Sequence, residues 1–262
     1  MAAGRIVAKR DGYIAWLTID HIRRRNAMTL EMWKDLERYC REIASDRGVR
    51  VVVLTGAGDQ AFCAGADISQ FRDNRSSEEA VKAYNDVVAE ASHALASLDK
   101  PTIALIKGVC FGGGMGLAMN CDVRLASSTA QFRIPAARLS LGYPFEGLAL
   151  LVQKLGPGTV ADLIYSARIV GAEEAQQLHI TQSTWPADEF DRSAGDYTRG
   201  IAANAPLTIA AAKKAFIELS KPTDAAGLAA VEKMVRACFA SADYREGQDA
   251  FREKREPRFK GI

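Results

Sequence analysis

One stretch constrains this chain more than any other: Cys-Phe-Gly-Gly-Gly-Met-Gly-Leu-Ala-Met-Asn-Cys-Asp, residues 110 to 122. A companion lies upstream, Phe62-Cys-Ala-Gly-Ala-Asp-Ile68. In each, an apolar run with strand character empties into a glycine-bearing turn, and Met115 to Asn120 then has helical character. The first amides of a helix lack partners within it, and the dipole there favours negative charge. Two such turns therefore offer two bare N–H donors to a group that becomes an anion during a reaction.

Successive glycines also mark tight turns and close backbone packing, so this stretch alone leaves that alternative open. The familiar glycine signatures fail on spacing. There is no Gly-x-x-x-x-Gly-Lys run, Leu117 stands where a dinucleotide fingerprint wants glycine, and Ser140 lacks the preceding glycine of a nucleophile elbow.

Four segments carry a resemblance: the Phe62 to Ile68 turn, Gly108-x4-Gly113-Gly-x-Gly-Leu-Ala-Met-x-Cys-Asp122, Ala130-Gln-Phe-x-x-Pro135, and the tail Phe251-x-Glu-Lys-Arg-x-Pro-x-Phe-Lys260. In order and spacing they resemble the crotonase superfamily, the enoyl-CoA hydratase/isomerase family. The resemblance implies an α/β fold, a spiral of repeated β-β-α units over residues 1–200, and an α-helical trimerisation region over residues 201–262. Propensity and pattern alone support an α/β portion followed by a helical portion and fit an open doubly wound sheet equally well.

The resemblance also implies the chemistry. Backbone amides at Ala66 and Gly113 polarise an acyl-CoA thioester carbonyl and hold the enolate that follows. Hydratases of the family carry glutamates at the positions of Gly116 and Ala136, and neither residue here moves a proton. Tyr143 and Glu146 are the candidates for acid and base. A tyrosine stands at the place of Tyr143 in the family's methylmalonyl-CoA decarboxylases, although their histidine at the first turn corresponds to Ala66. Glu146 also suits the first turn of a helix as a carboxylate that complements the dipole.

Substrate contacts are expected from Ala64, Asp67 and Ile68 at the first turn, although an aspartate there also serves as a local backbone cap. Arg23, within the run Arg23-Arg-Arg25, is expected near the nucleotide end of coenzyme A, the alternative being a solvated loop. Lys260 is expected near a neighbouring subunit's coenzyme A phosphates, the alternative being a frayed basic terminus. No separate cofactor is expected, coenzyme A being part of the substrate. Three functions remain: a hydratase or isomerase on acyl-CoA, a decarboxylase or other enolate-forming lyase, and a non-catalytic acyl-CoA binding protein.

Composition excludes other classes. A net charge of +2 over 262 residues is too small a surplus for a dedicated nucleic-acid binder. Five scattered cysteines point to reduced thiols and a cytoplasmic location, and three histidines remote from any cysteine pair give no metal site. No run of about 18 apolar residues is long enough to span a membrane. A homotrimer or a dimer of trimers is expected, because the alanine-rich tail has little core of its own.

Along the chain, Ile6 to Lys9 and Tyr13 to Ile19 are expected to form a hairpin turning at Asp11-Gly12. Thr29 caps a helix with apolar positions at Met32, Leu36, Tyr39 or Cys40, and Ile43. Val49 to Thr55 is a buried strand, Ser69 to Ser77 a cover over the acyl pocket, and Glu78 to Leu98 the clearest helix, with His93 off its apolar stripe. Thr102 to Ile106 is a strand, as are Val123 to Ala126 and Gln131 to Ile134. Leu148 to Leu155 is a helix buried in the subunit or between subunits, Gly156-Pro157-Gly158 closes it, and helices dominate thereafter.

Overall fold

A computed structural model describes residues 4–67, 78–220 and 224–262. Ile68 and the expected cover from Ser69 to Ser77 lie outside the described residues. Ten α-helices and two sheets make up the described part. Strands β1 (Arg5–Asp11) and β2 (Ile14–Asp20) form the expected hairpin. Asp11 pairs with Ile14, so the two-residue turn is Gly12-Tyr13, one position later than expected, with Gly12 at φ +55°.

After β2 the chain makes a short 3-10 turn, Ile22–Arg24, and enters α1 (Leu30–Ser45). Thr29 caps it, its hydroxyl accepting from Met32 N–H at 3.3 Å, and Met32, Trp33, Leu36, Cys40 and Ile43 are buried along one face. Three similar units follow. They are β3 (Val51–Gly56), β4 (Ala61–Cys63) and α2 (Glu78–Ala96); β5 (Thr102–Ile106), β6 (Val109–Phe111) and α3 (Gly113–Asn120); then β7 (Val123–Ser127), β8 (Gln131–Arg133) and α4 (Phe145–Leu155).

The first strand of each unit joins one sheet and the second joins another. The six-stranded sheet has the order β1-β2-β3-β5-β7-β10, and the four-stranded sheet β4-β6-β8-β9. Pairings β2–β3, β3–β5 and β5–β7 are parallel, as are β4–β6 and β6–β8. Each unit thus advances one strand in both sheets at once, which is a β-β-α spiral. The doubly wound alternative, with its single open sheet, is excluded.

The branched run of β3 is explained by burial on both faces. Val52 and Leu54 point into the large core shared with α1, α2 and α3. Val51 and Val53 point into a smaller core with Phe190, Ala194 and Ala202 of α7.

Beyond α4 the chain is mostly helical, as expected. Gly156 closes α4 as expected, and Pro157 is at once the first residue of α5 (Pro157–Ser166), where its missing N–H is no loss. Helix α4 buries only Leu151 and Leu155, and Phe145 and Val152 are exposed in the single chain. Two short strands not expected from the sequence, β9 (Val170–Gly171) and β10 (Ser183–Trp185), flank α6 (Ala172–Gln177) and close the edges of the two sheets. Helices α7 (Ala187–Ala203), α8 (Pro206–Leu219), α9 (Ala225–Ala240) and α10 (Ala242–Glu253) complete the chain.

Candidate active site

The spiral brings the two glycine turns together. Strands β4 and β6 are parallel neighbours, with Ala61 opposite Val109 and Cys63 opposite Cys110. The turns that leave their C-terminal ends are therefore side by side, although nearly fifty residues of chain separate them. A β-carbon placed on Gly113 would lie 3.6 Å from Ala66 N, and one placed on Gly65 would lie 3.5 Å from Gly113 N. The two turns lie so close that a single added β-carbon on either would be in van der Waals contact with the other.

The direction of each amide follows from peptide planarity, which turns the C=O and the N–H of one trans peptide to opposite sides. In the first turn, Met28 N–H donates to Gly65 O at 2.8 Å and Asp67 N–H donates to Met28 O at 2.9 Å. This pairing engages the peptides on both sides of Ala66 and aims Ala66 N–H away from Met28. In the second turn, Gly112 O accepts from Gly116 N–H at 3.1 Å, so Gly113 N–H points back out of the α3 N-terminus.

Glycine is required at several of these positions for distinct reasons. Gly65 at φ +107° and Gly112 at φ +52° occupy backbone conformations that L side chains rarely adopt. Gly114 packs so closely on β4 that a β-carbon would fall 2.2 Å from Cys63 O.

Gly116 is different. It has conventional helical geometry, and no atom of the described residues lies within 4 Å of where its β-carbon would stand. Beside it in the spiral, β8 leads to the third turn, where Gly112 N–H donates to Arg133 O at 2.9 Å. A β-carbon on Gly112 would be 3.7 Å from the Pro135 ring, and Ala136 follows, buried, at the start of a 3-10 turn, Ala136–Leu139.

The remaining candidates occupy varied settings. Tyr143 packs against the large core, and burial pushes its phenol above the ordinary value. Glu146 is exposed in the first turn of α4. Ala64 is half-buried, and its N–H donates to Arg25 O at 3.0 Å. Asp67 is buried. Arg23 is exposed on the 3-10 turn before α1. Lys260 has an exposed side chain, and its N–H donates to Asp243 Oδ1 at 2.7 Å in the C-terminal tail.

Three further residues shape the site. Asn26, at φ +56°, donates to Ala57 O at 3.0 Å and Ala61 O at 2.6 Å and accepts from His21 N–H at 3.0 Å. Its carboxamide ties the 21–26 loop to the approach of β4, and an asparagine after three arginines is a recognisable signal for a left-handed turn. Met28 supplies the pairing described above, and Cys63 is fully buried beneath the first turn. Neither carries a local sequence signal, since both act through non-local backbone contacts.

Elsewhere, all five cysteines are free, and among the described residues no cluster of three or more histidine, cysteine or acidic side chains is arranged to hold a metal ion. Among the described residues, no helix is long and apolar enough to cross a membrane.

A β-β-α spiral with two amide-bearing turns abreast is a framework for holding a carbonyl oxygen that gains negative charge. The profile of the enoyl-CoA hydratase/isomerase family matches residues 9–262, and the chain belongs to that family, within the crotonase superfamily. It is similar to the short-chain-enoyl-CoA hydratase of Clostridium acetobutylicum, with 30% identity over 255 residues and 97% of each chain covered. It is also similar to the mitochondrial methylglutaconyl-CoA hydratase of Mus musculus, with 31% identity over 252 residues, 95% of this chain and 80% of the other. Among solved structures, an enoyl-CoA hydratase/carnithine racemase from Magnetospirillum magneticum superposes with a TM-score of 0.93 at 33% identity, covering 100% of this chain and 97% of that one. The chain is thus an enzyme of the hydratase/isomerase type.

Proposed function

We propose that this enzyme acts on an acyl-CoA thioester through an enolate whose oxygen is held by Ala66 N–H and Gly113 N–H. The observation that carries the reading is the closeness of the two turns, with each amide turned away from the hydrogen bonds its own peptide plane makes. Donors of this kind act where charge develops, and removal of one typically costs on the order of 3 kcal/mol of barrier. Ala64, Asp67 and Ile68 are proposed to contact the substrate at the first turn, Arg23 to meet a coenzyme A phosphate, and Lys260 to serve a neighbouring subunit's site. Coenzyme A enters as part of the substrate, with no separate cofactor.

Proton transfer is proposed to differ from that of a two-glutamate hydratase. Gly116 and Ala136 stand at the positions where the family pattern has those carboxylates, and Tyr143 and Glu146 are the proposed acid and base. The space that the described residues leave at Gly116 supports a substrate, or a water, closer to α3 than a glutamate would permit. A decarboxylase or another enolate-forming lyase is the second reading, favoured by the half-buried Tyr143 phenol, which burial keeps protonated. The remaining alternative is a protein that binds acyl-CoA without turnover.

The helical region 201–262 is proposed to assemble the chain as a homotrimer or a dimer of trimers around the spiral core of residues 1–200. Phe216, Leu219 and Phe251 are 68%, 74% and 86% exposed in the single chain, which is apolar area that a neighbour would cover. Sedimentation as a monomer would overturn this. Free thiols support a cytoplasmic location.

One experiment separates the readings. Crotonyl-CoA, a 3-enoyl-CoA and a malonyl-type CoA are each incubated with the protein while thioester absorbance and released carbon dioxide are followed, with binding measured alongside. Turnover of the 3-enoyl or malonyl-type ester is expected. Ordinary crotonyl-CoA hydration would remove the argument from Gly116 and Ala136, and tight binding without turnover of any ester would select the non-catalytic reading.

A further inference from the structure

We infer that Cys63 is a positioning residue for the first amide donor, its thiol fixing the Gly65–Ala66 peptide so that Ala66 N–H faces the substrate carbonyl. The inference rests on the proposed use of Ala66 and Gly113 and adds to it what sets the aim of one of them.

The geometry is local and complete. Cys63 is the last residue of β4, fully buried, and its side chain curls back under the turn that follows. Gly65 N–H donates to Cys63 Sγ at 3.4 Å, and the thiol donates to Gly65 O at 3.6 Å. One side chain thus touches both polar groups of Gly65. Because Gly65 O and Ala66 N–H belong to the same planar unit, a force on the oxygen rotates the N–H with it.

Gly65 makes such support necessary. At φ +107° it sits in a region open essentially to glycine, the residue with the widest conformational freedom, so nothing intrinsic holds the turn in this one arrangement. Met28 N–H holds the oxygen from one side, and the thiol provides the second point of attachment. Two donors on one oxygen narrow the arc through which the peptide can swivel.

Cys63 also links the two halves of the site through its backbone and β-carbon. The Cys63 carbonyl and β-carbon are the atoms against which Gly114 packs, at 2.2 Å and 2.9 Å from an added β-carbon. A shift of Cys63 is therefore felt at the start of α3, where the second donor lies. Burial pushes the Cys63 thiol up to about 12, so it stays protonated and able to donate across the physiological range. A thiolate, by contrast, would repel Gly65 O and the negative charge that develops nearby.

The test uses a dimethylaminocinnamoyl-CoA thioester, whose absorption moves to longer wavelength when its carbonyl is polarised by hydrogen bonds. The full chain and its Cys63→Ala and Cys63→Ser variants are compared for that shift, for dissociation constant, and for exchange of the α-protons of an acyl-CoA in heavy water. Cys63→Val serves as the apolar replacement should the alanine variant not fold. The apolar variant is expected to lose most of the red shift and to slow exchange on the order of tenfold, less than the hundredfold or more that follows loss of a donor. Its dissociation constant is expected to change less than either, and Cys63→Ser to restore the shift. A full red shift in the apolar variant, with the wild type also shifted, would overturn the role of Cys63 alone. Binding to the wild type without any red shift would remove the two-amide reading, and this inference with it.

Discussion

Lys213 Nζ donates to Asp122 Oδ2 at 2.9 Å and to Lys100 O at 2.7 Å, so a buried ammonium of helix α8 is anchored at the ends of β5 and β7. Asp122 in turn accepts from Thr102 N–H at 2.7 Å and from the Thr102 hydroxyl at 3.0 Å. The helical tail is thereby joined to the spiral by a charge pair. Asp122→Asn, which leaves Lys213 buried without its counter-ion, is expected to lower stability by about 3 kcal/mol. Lys213→Met, which leaves a half-exposed carboxylate still bonded to Thr102, is expected to cost about 1–2 kcal/mol. Urea unfolding at fixed protein concentration measures both, and equal costs would contradict the stated asymmetry.

Gly114 and Gly116 are two residues apart in one helix, yet substitution is expected to act in opposite directions. A methyl group at Gly114 collides with the Cys63 carbonyl. Gly114→Ala should therefore destabilise by about 1–3 kcal/mol and depress turnover. Gly116→Ala meets open space and should stabilise by about 0.5–1 kcal/mol through helix propensity. Thermal unfolding of the two variants, run together, decides the point.

The proposed acid and base are separated by conservative replacements. Tyr143→Phe keeps the packing of the ring against the core and removes only the hydroxyl. A loss of kcat on the order of a hundredfold is expected if that hydroxyl transfers a proton. Glu146→Gln removes the carboxylate from the first turn of α4. A comparable fall assigns it to the chemistry, and unchanged kcat leaves it as a partner of the helix dipole.

Arg23 is expected to act on the nucleotide portion of the substrate only. Its exposed side chain on the 3-10 turn is available to a phosphate. Arg23→Ala should raise the KM for a coenzyme A thioester several times more than that for the corresponding pantetheine thioester, with little change in kcat. Equal losses on both substrates would place the effect elsewhere.

Lys154 predisposes the fold to an unusual response at alkaline pH. Burial, reinforced by Arg124, lowers its ammonium from 10.5 to about 8, while it donates to Cys121 O at 2.8 Å. Between those values the unfolded chain holds the proton that the folded chain has released, so this residue's contribution to stability rises with pH across the window. The buried thiols of Cys40, Cys63 and Cys121, pushed up from 9.0 to about 12, act in the opposite sense: their contribution is present below pH 9 and lost as pH rises toward 12. A Lys154→Met variant isolates the first effect. The wild type should gain stability relative to it from pH 8 to 10.5 in parallel unfolding titrations.

Much of this arrangement was legible from the residues. The apolar spacing of α1, its Thr29 cap, the branched run of β3 and the bounds of β5 are local patterns, and local patterns decide them. Sheet membership is not local. That Ala61 pairs with Val109, and Val109 with Gln131, depends on contacts some tens of residues apart, and no period in the chain records them. The spiral was accessible through family resemblance rather than through spacing. Gly156-Pro157-Gly158 reads as a stop for the same reason it begins a helix, since proline suits a first turn as well as a break. At the site, glycines mark where the backbone comes close, but the aim of Ala66 N–H depends on Met28, whose role only the folded pairing reveals.

The successive registers of β4, β6 and β8 have a consequence for how such a site changes over time. Each rung of the second sheet delivers one turn to the pocket, and the rung bearing Ala136 is distinct from the two bearing Ala66 and Gly113. On the proposed reading, a group that shuttles hydrogen can be exchanged on the β8 rung while the carbonyl grip on the β4 and β6 rungs is left untouched, whereas one at Gly116 shares α3 with the second donor. In that reading, proton delivery from the third turn is physically separable from anion stabilisation, and a chain that exchanges it adopts another reaction without rebuilding its foundation.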